Sequence, residues 1–370
     1  MDVQKILLMT GGGDAPGLNA VVRAAVKRAI IGFEWEVVGS VEAFNGVLDD
    51  PMRLMKLDLQ SVQGLLMRGG TILGTSNTGG PFEFPVSMPD GTIEVVDRSD
   101  ELIRRLHRIG VDAVISIGGD GSQRIAQGLF EKGLPIVGVP KTIDNDLGAT
   151  EMTFGFQTAV ETATDAIDKL HSTAESHDRV MIVELMGRDA GWIALSAGIA
   201  GGADTILIPE IPFEIDHIAL HIMRRRKAGH HFAIVVVAEG AFPHGGAALT
   251  VKQRQPGQPN PILGGVGRWL AEELEARGFR QTRYCVLGHL QRGGIPGALD
   301  RLLATRYGVA AVDLIAEGKF GHMVALRGDN ITSVPIVDAI LHYRNVNLDH
   351  NLVRTARGLG VCLGDSAPGR

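Results

Sequence analysis

Residues 140–146 read Pro-Lys-Thr-Ile-Asp-Asn-Asp, and they put two carboxylates, a cation and a hydroxyl within seven positions. Asp144 or Asp146 could take the proton from an attacking hydroxyl, while Lys141 stabilises phosphoryl charge. An Asx-rich turn is the plainer reading. Residues 117–122, Ile-Gly-Gly-Asp-Gly-Ser, set one acid among glycines where an apolar run ends. Asp120 there can hold a Mg²⁺ that bridges phosphate oxygens, and the flanking amides can take phosphate charge. Capping of the next helix is the plainer job for such an Asp, but capping does not need three neighbouring glycines. Residues 11–17, Gly-Gly-Gly-Asp-Ala-Pro-Gly, form a third turn able to face an anion with backbone N–H groups. Pro16 stands where a dinucleotide-binding fingerprint needs glycine, and no P-loop pattern is present.

These segments need elements to hold them, and one pattern recurs along the chain. A short apolar run leads into a Gly-rich turn and then a helical spacing. Lys5–Thr10 precedes a helix over Asn19–Ile30; Val111–Ile117 precedes one over Gln123–Glu131; Leu134–Val139 stops at Pro140. Val180–Leu185, Thr205–Ile208, Phe232–Ala238 and Tyr284–Leu287 repeat the apolar theme. Continuous rather than alternating runs predict strands buried on both faces, as in parallel sheets covered by helices. The fold class is therefore α/β. Gly79–Gly91 and Pro243–Pro261 read as irregular loops. Arg224–Lys227 reads as a basic helix end. Trp192, Trp269 and Ala194–Ile199 read as packing, and Cys285 as an inert buried thiol.

The chain exceeds the usual limit for one core, so two lobes are expected. Its 49 glycines suggest several tight functional turns. A net charge of −6 argues against a broad nucleic-acid surface. Cys285 and Cys362 are too few for a disulfide framework or thiolate metal site. No apolar run approaches membrane-spanning length, and no leader pattern opens the chain. A cytoplasmic protein with no membrane and no nucleic-acid partner is the expectation.

Taken together, GGDAPGLN, GGDGS, PKTIDND, MGRDAGW and LGHLQRGG occur in this chain in the order seen in 6-phosphofructokinases. The resemblance covers residues 1–340. GGDG alone also resembles NAD kinases and diacylglycerol kinases; TIDND with GHLQRGG separates the chain from them. The resemblance implies two lobes, each a largely parallel sheet flanked by helices. Residues 1–155 with roughly 291–340 would carry the donor phosphate and Mg²⁺, 156–290 the fructose 6-phosphate, and 341–370 would form a C-terminal segment.

The resemblance also implies roles. Asp144 is the expected base for the sugar 1-hydroxyl. Thr142 and Asp146 border the transferred phosphoryl group, and Asp120 holds Mg²⁺. Ile143, Met186, Gly187, Arg188 and Glu239 contact the sugar, with Arg188 also stabilising transition-state charge. His289, Leu290, Gln291 and Arg292 serve the 6-phosphate. Arginine suits that task because its fork binds phosphate oxygens in pairs. Gly13, Asn77, Thr78, Gly119, Gly121, Ser122 and Lys141 would line the donor. Arg179 and Arg283 match arginines that the family borrows from a neighbouring subunit, so a homodimer or homotetramer with a shared active site is expected.

Several positions depart from the family pattern. ATP users carry Gly at position 121 and Gly at 141, whereas pyrophosphate users carry Asp and Lys; this chain has Gly121 with Lys141. Gly121 leaves room for a nucleotide, so ATP is the expected donor and pyrophosphate the alternative. Asn77 replaces an arginine common in ATP users, and Asp189 replaces an aromatic or His. Arg23 retains part of a bacterial effector site, but His171, Asp204 and Gly229–His231 alter it, which predicts weak regulation by ADP or phosphoenolpyruvate. A non-catalytic sensor on the same fold is the reading from another class. Retention of Asp120, Thr142, Asp144 and Asp146 argues against it.

Overall fold

The computed structural model describes residues 3–252 and 262–365. Among them the chain forms two compact units, one from residues 3–157 and 292–343, the other from 158–252, 262–291 and 344–365. Residues 344–365 thus join the second unit.

The first unit is built on an eight-stranded sheet. Its main path runs Asn330–Pro335, His322–Arg327, Ile136–Thr142, Ala113–Gly118, Lys5–Thr10, Glu36–Ser40 and Leu54–Leu57. Phe154–Gly155 pairs with the end of Ile136–Thr142. The central pairings are parallel, while the two strands at each edge are joined antiparallel. Every residue of Ala113–Gly118 and Ile136–Thr142 is buried, as expected of strands covered on both faces. Helices Leu18–Phe33 and Ala298–Ala316 pack together on one face, and their apolar residues join Ile6, Leu8, Ile115 and Val137 in one core. Leu102, Leu106, Ala126 and Leu129 cover the other face with Leu7, Val114 and Ile136.

The second unit holds a four-stranded parallel sheet in the order Thr205–Leu207, Ala233–Ala238, Val180–Leu185, Thr282–Val286. Its core gathers Ile182, Val235 and Val237 with Ile218, Ile222, Leu270 and Leu274 of helices Ile215–Lys227 and Val266–Ala276. Trp192 is buried and Trp269 packs against this core.

Four expectations change. The strand expected to stop at Pro140 continues through it to Thr142, with Pro140 in register with Gly118. Proline is tolerated there because the strand is near its end and its last two residues pair with Phe154–Gly155. The expected irregular loop Gly79–Gly91 contains Phe84–Ser87, which pairs antiparallel with Ile93–Val96. The expected loop Pro243–Pro261 contains the short strand Thr250–Lys252, and residues 253–261 of it lie outside the described residues. Cys285 is half-buried rather than buried, because its strand is an edge of the second sheet. The basic run 224–227 does close a helix. Among the described residues, no helix is long and apolar enough to cross a membrane.

Candidate active site

In the first unit, three turns leave the carboxyl ends of neighbouring parallel strands, where ligands of open α/β sheets bind. Residues 11–17 follow Lys5–Thr10, residues 119–122 follow Ala113–Gly118, and residues 143–146 follow Ile136–Thr142. Ser122 packs between the first two turns. A Cβ built at Gly11 would meet its Oγ at 2.7 Å, and one at Gly118 would collide with it. Glycine is required there by close approach.

Lys141 ties the third turn to the first. Its Nζ donates to the Gly13 carbonyl, and its side chain is almost wholly buried. Burial pushes the Lys141 pKa down to about 8, and the Arg292 guanidinium adds to that, against the pull of Asp144, Asp14 and Asp146. Arg292 Nη1 donates to the Asp14 carbonyl at 3.0 Å and would meet a Cβ at Gly13 at 2.6 Å. Arg292 is therefore held against the first turn in this structure.

Thr142, Asp144 and Asp146 are all buried. Thr142 Oγ1 accepts from the Asp144 N–H at 3.0 Å. Asn145 adopts a left-handed φ of 52° and turns inward, where its Oδ1 accepts from Thr153 N–H at 3.0 Å. This residue bends the chain so that acids sit on both sides of it. Burial raises the Asp146 pKa. Ile143 is wholly buried and presents no surface to a ligand in this structure.

Asp120 is the first residue of helix Asp120–Glu131, and the N-cap position belongs to Gly119. The capping role considered from sequence is thus not adopted. The carboxylate instead pairs with Arg124 Nε at 2.9 Å. Among the described residues no cluster of three or more His, Cys, Asp or Glu could cage a metal. Mg²⁺ commonly takes one or two carboxylates and completes its octahedron with phosphate oxygens and water, so the single half-buried carboxylate of Asp120 fits it.

A Cβ at Gly121 would meet nothing within 4 Å. A cleft beside it is lined by Gly11, Gly12, Phe44, Thr78, Ser122 and Ile125. Thr78 belongs to this lining; Asn77 is exposed and does not.

The second unit carries the remaining candidates at two opposite ends of its sheet. Met186, Gly187 and Arg188 follow Val180–Leu185, and Glu239 follows Ala233–Ala238. The Arg188 N–H donates to Glu239 Oε1 at 3.3 Å. Arg188 holds a left-handed φ of 55° after Gly187 at 144°. A Cβ at Gly240 would collide with the Arg188 carbonyl, so glycine is needed there for the two loops to meet. Asp189, which has no sequence rationale, lies with its carboxylate 3.6 Å from Arg188 Nε.

His289 and Leu290 are exposed on a short turn after Thr282–Val286, at this same carboxyl end. Gln291 is wholly buried and donates to the Gly288 carbonyl at 3.1 Å, bracing that turn. Arg179 and Arg283 lie at the amino end: Val180 is in register with Thr282, and Met181 with Arg283. Seven residues of extended chain separate Arg179 from Met186, roughly 23 Å at strand rise. Of the altered effector positions, Asp204 is engaged by Arg225 at 2.7 Å and by the Ile234 N–H at 2.9 Å.

Residues 5–315 match the family model described as Phosphofructokinase. The chain belongs to the phosphofructokinase family. It is 51% identical over 366 residues to ATP-dependent 6-phosphofructokinase 1 of Synechocystis sp., covering 98% of this chain and 99% of that one. It is 48% identical over 342 residues to the pyrophosphate–fructose 6-phosphate 1-phosphotransferase of Amycolatopsis methanolica, covering 92% and 96%. Among solved structures, phosphofructokinase of Pichia pastoris in the T-state aligns with a TM-score of 0.76 at 34% identity, over 92% of this chain and 35% of that one. The parallel sheets flanked by helices are the phosphofructokinase fold, and the chain is an enzyme of that family.

Three residues around the site escaped the sequence reading. Tyr343 Oη donates to Asp146 Oδ2 at 2.5 Å across 197 positions. Glu210 accepts from Gly191 N–H at 3.0 Å and Val346 N–H at 2.7 Å, fixing the turn after Arg188. Arg124 pairs with Asp120. Of these, only Arg124 carried a local signal, its i+4 spacing from Asp120 on one helix.

Proposed function

We propose that this phosphofructokinase moves the γ-phosphoryl group of ATP to the 1-hydroxyl of fructose 6-phosphate, with Asp144 as general base. The observation that carries the reading is the joining of the Gly13 turn, Lys141 and Asp144–Asp146 in one buried cluster. Asp144 takes the hydroxyl proton, the oxygen attacks phosphorus, and the bond to the β-phosphate oxygen breaks to release ADP. Amides of the glycine turns and the Lys141 ammonium hold donor charge in fixed positions, which is most of what phosphoryl transfer asks of a protein. Mg²⁺ bound at Asp120 would neutralise charge on the bridging phosphates. Thr142 and Asp146 flank the transferred group. Gly13, Gly119, Gly121, Ser122, Asn77 and Thr78 serve the donor.

Open space at Gly121 supports a nucleotide donor, since a carboxylate there would fill and repel. The buried ammonium of Lys141 is what favours the second reading, pyrophosphate.

Arg188, Met186, Gly187, Glu239, His289, Leu290 and Arg292 serve the sugar phosphate. Arg179 and Arg283 stand at the opposite end of their sheet and cannot reach the same ligand within one second unit. Their best use is in a neighbouring copy's site, so the enzyme works as a homodimer or homotetramer in the cytoplasm. Asp144→Asn tests the base: turnover should fall by roughly 10²–10⁴, while fructose 6-phosphate still binds in calorimetry. Turnover near wild type would remove Asp144 from that role.

A further inference from the structure

Tyr343 lies beyond the residues matched by the family model, 5–315, yet it touches the chemistry. Its backbone forms an antiparallel bridge with Leu147, directly after Asp146. A Cβ at Gly148 would collide with the His342 carbonyl, so residues 342–343 lie flat on the turn that follows the acids. The segment is anchored from behind by Ile336 and Ala339, both in the core. It is also anchored from the side by Arg124, whose Nη2 donates to the Ile340 carbonyl at 2.9 Å while its Nε holds Asp120.

Asp146 itself is only 6% exposed, and its Oδ1 is buried with no hydrogen-bond partner among the described residues. A carboxylate buried in this way needs donors to keep its charge and its rotamer. The groups around it are the Lys141 ammonium, the Asp120 carboxylate, the Thr142 hydroxyl and the Tyr343 phenol. The phenol donates to Oδ2 at 2.5 Å, within the short range of O–H to carboxylate bonds. It comes from a distant, separately anchored segment, so it constrains the carboxylate independently of the 140–146 backbone.

We propose that Tyr343 is a positioning residue for phosphoryl transfer: its hydroxyl pins Asp146 Oδ2 and so fixes the orientation of the carboxylate beside the transferred group. This rests on the proposed role of Asp146 in phosphoryl transfer. Tyr343→Phe removes one oxygen and keeps the ring and the backbone bridge. With ATP, Mg²⁺ and fructose 6-phosphate, kcat should fall roughly tenfold, the scale of one hydrogen bond to a charged group. KM for fructose 6-phosphate should stay within about twofold, and the variant should stay fully folded at the assay temperature even if its melting temperature falls by a few degrees. Incorporating 3-fluorotyrosine at 343 keeps the hydroxyl and should keep kcat within about twofold. The wild-type rate tests the phosphotransferase reading; the ratio of variant to wild type tests the inference. An unchanged kcat in Tyr343→Phe, a loss seen only in KM, or an equal loss of kcat with 3-fluorotyrosine at 343 would each overturn it.

Discussion

The two units solve different problems with the same kind of sheet. In the first, the candidate residues come from three adjacent strand ends and are already tied to one another: Lys141 to Gly13, Arg292 to Asp14, Tyr343 to Asp146, Arg124 to Asp120. In the second, the polar candidates divide between the two ends of one four-stranded sheet. Arg188 and Glu239 meet at the carboxyl end. At the amino end Arg283 is exposed, in a loose 3.4 Å pair with Glu275, and Arg179 keeps a buried Nε with no partner among the described residues. The candidates of the first unit are thus joined to one another, whereas those of the second unit divide between the two ends of its sheet. Phosphoryl transfer rewards rigid charge on the transferred group, which on the proposed reading the first unit supplies.

The largest effect should come from separating the two halves in different chains. Asp144→Asn and Arg283→Ala should each be nearly inactive alone with fructose 6-phosphate at low concentration. Mixed and reassociated, they should recover up to about a quarter of wild-type activity, because half of random dimers would each hold one intact site. No recovery, with assembly verified by light scattering, would mean that Arg283 acts within its own chain.

A smaller effect belongs to the carboxyl end of the second sheet. Gly240→Ala places a methyl group against the Arg188 carbonyl and must displace the loop. We expect kcat/KM for fructose 6-phosphate to fall by roughly tenfold to a hundredfold, with donor KM unchanged. Equal loss for both substrates would show that the loop does not belong to the acceptor side alone.

The smallest effect is a pH dependence on the donor side. Lys141 has its pKa pushed down to about 8, so its ammonium is present at neutral pH and lost as pH rises through that value. Donor kcat/KM should therefore decline above pH 8, a slope reporting the free enzyme. In Lys141→Met the rate should be lower at pH 7 and the slope absent. A slope that persists would assign it to another group.

Much of this arrangement was legible in the residues. The buried runs Lys5–Thr10 and Val180–Leu185 gave strands at those bounds, because both faces of a parallel strand must be apolar. The glycine turns marked the strand ends where ligands approach. What stayed hidden depended on distant pairings or on edges. Tyr343 meets Asp146 by a hydrogen bond across 197 positions, and no local spacing encodes that. Glu210 looks like any carboxylate until its two backbone donors, Gly191 and Val346, are seen together. Burial raises its pKa and suits a bracing role more than a solvated one. The hairpin Phe84–Ser87 with Ile93–Val96 was masked by prolines that read as loop, although prolines are admitted on exposed edge strands. The opposed placement of Arg179 and Met186 depends on the paired strand Val180–Leu185 between them.

The donor carries the central claim most directly. Steady-state rates with fructose 6-phosphate and Mg²⁺ should be measured with ATP and with pyrophosphate at matched concentrations. The open space at Gly121 predicts turnover with ATP and at least tenfold less kcat/KM, about 1.4 kcal/mol in the barrier, with pyrophosphate. Turnover with pyrophosphate alone would contradict it, and would make the buried Lys141 the residue that sets the donor.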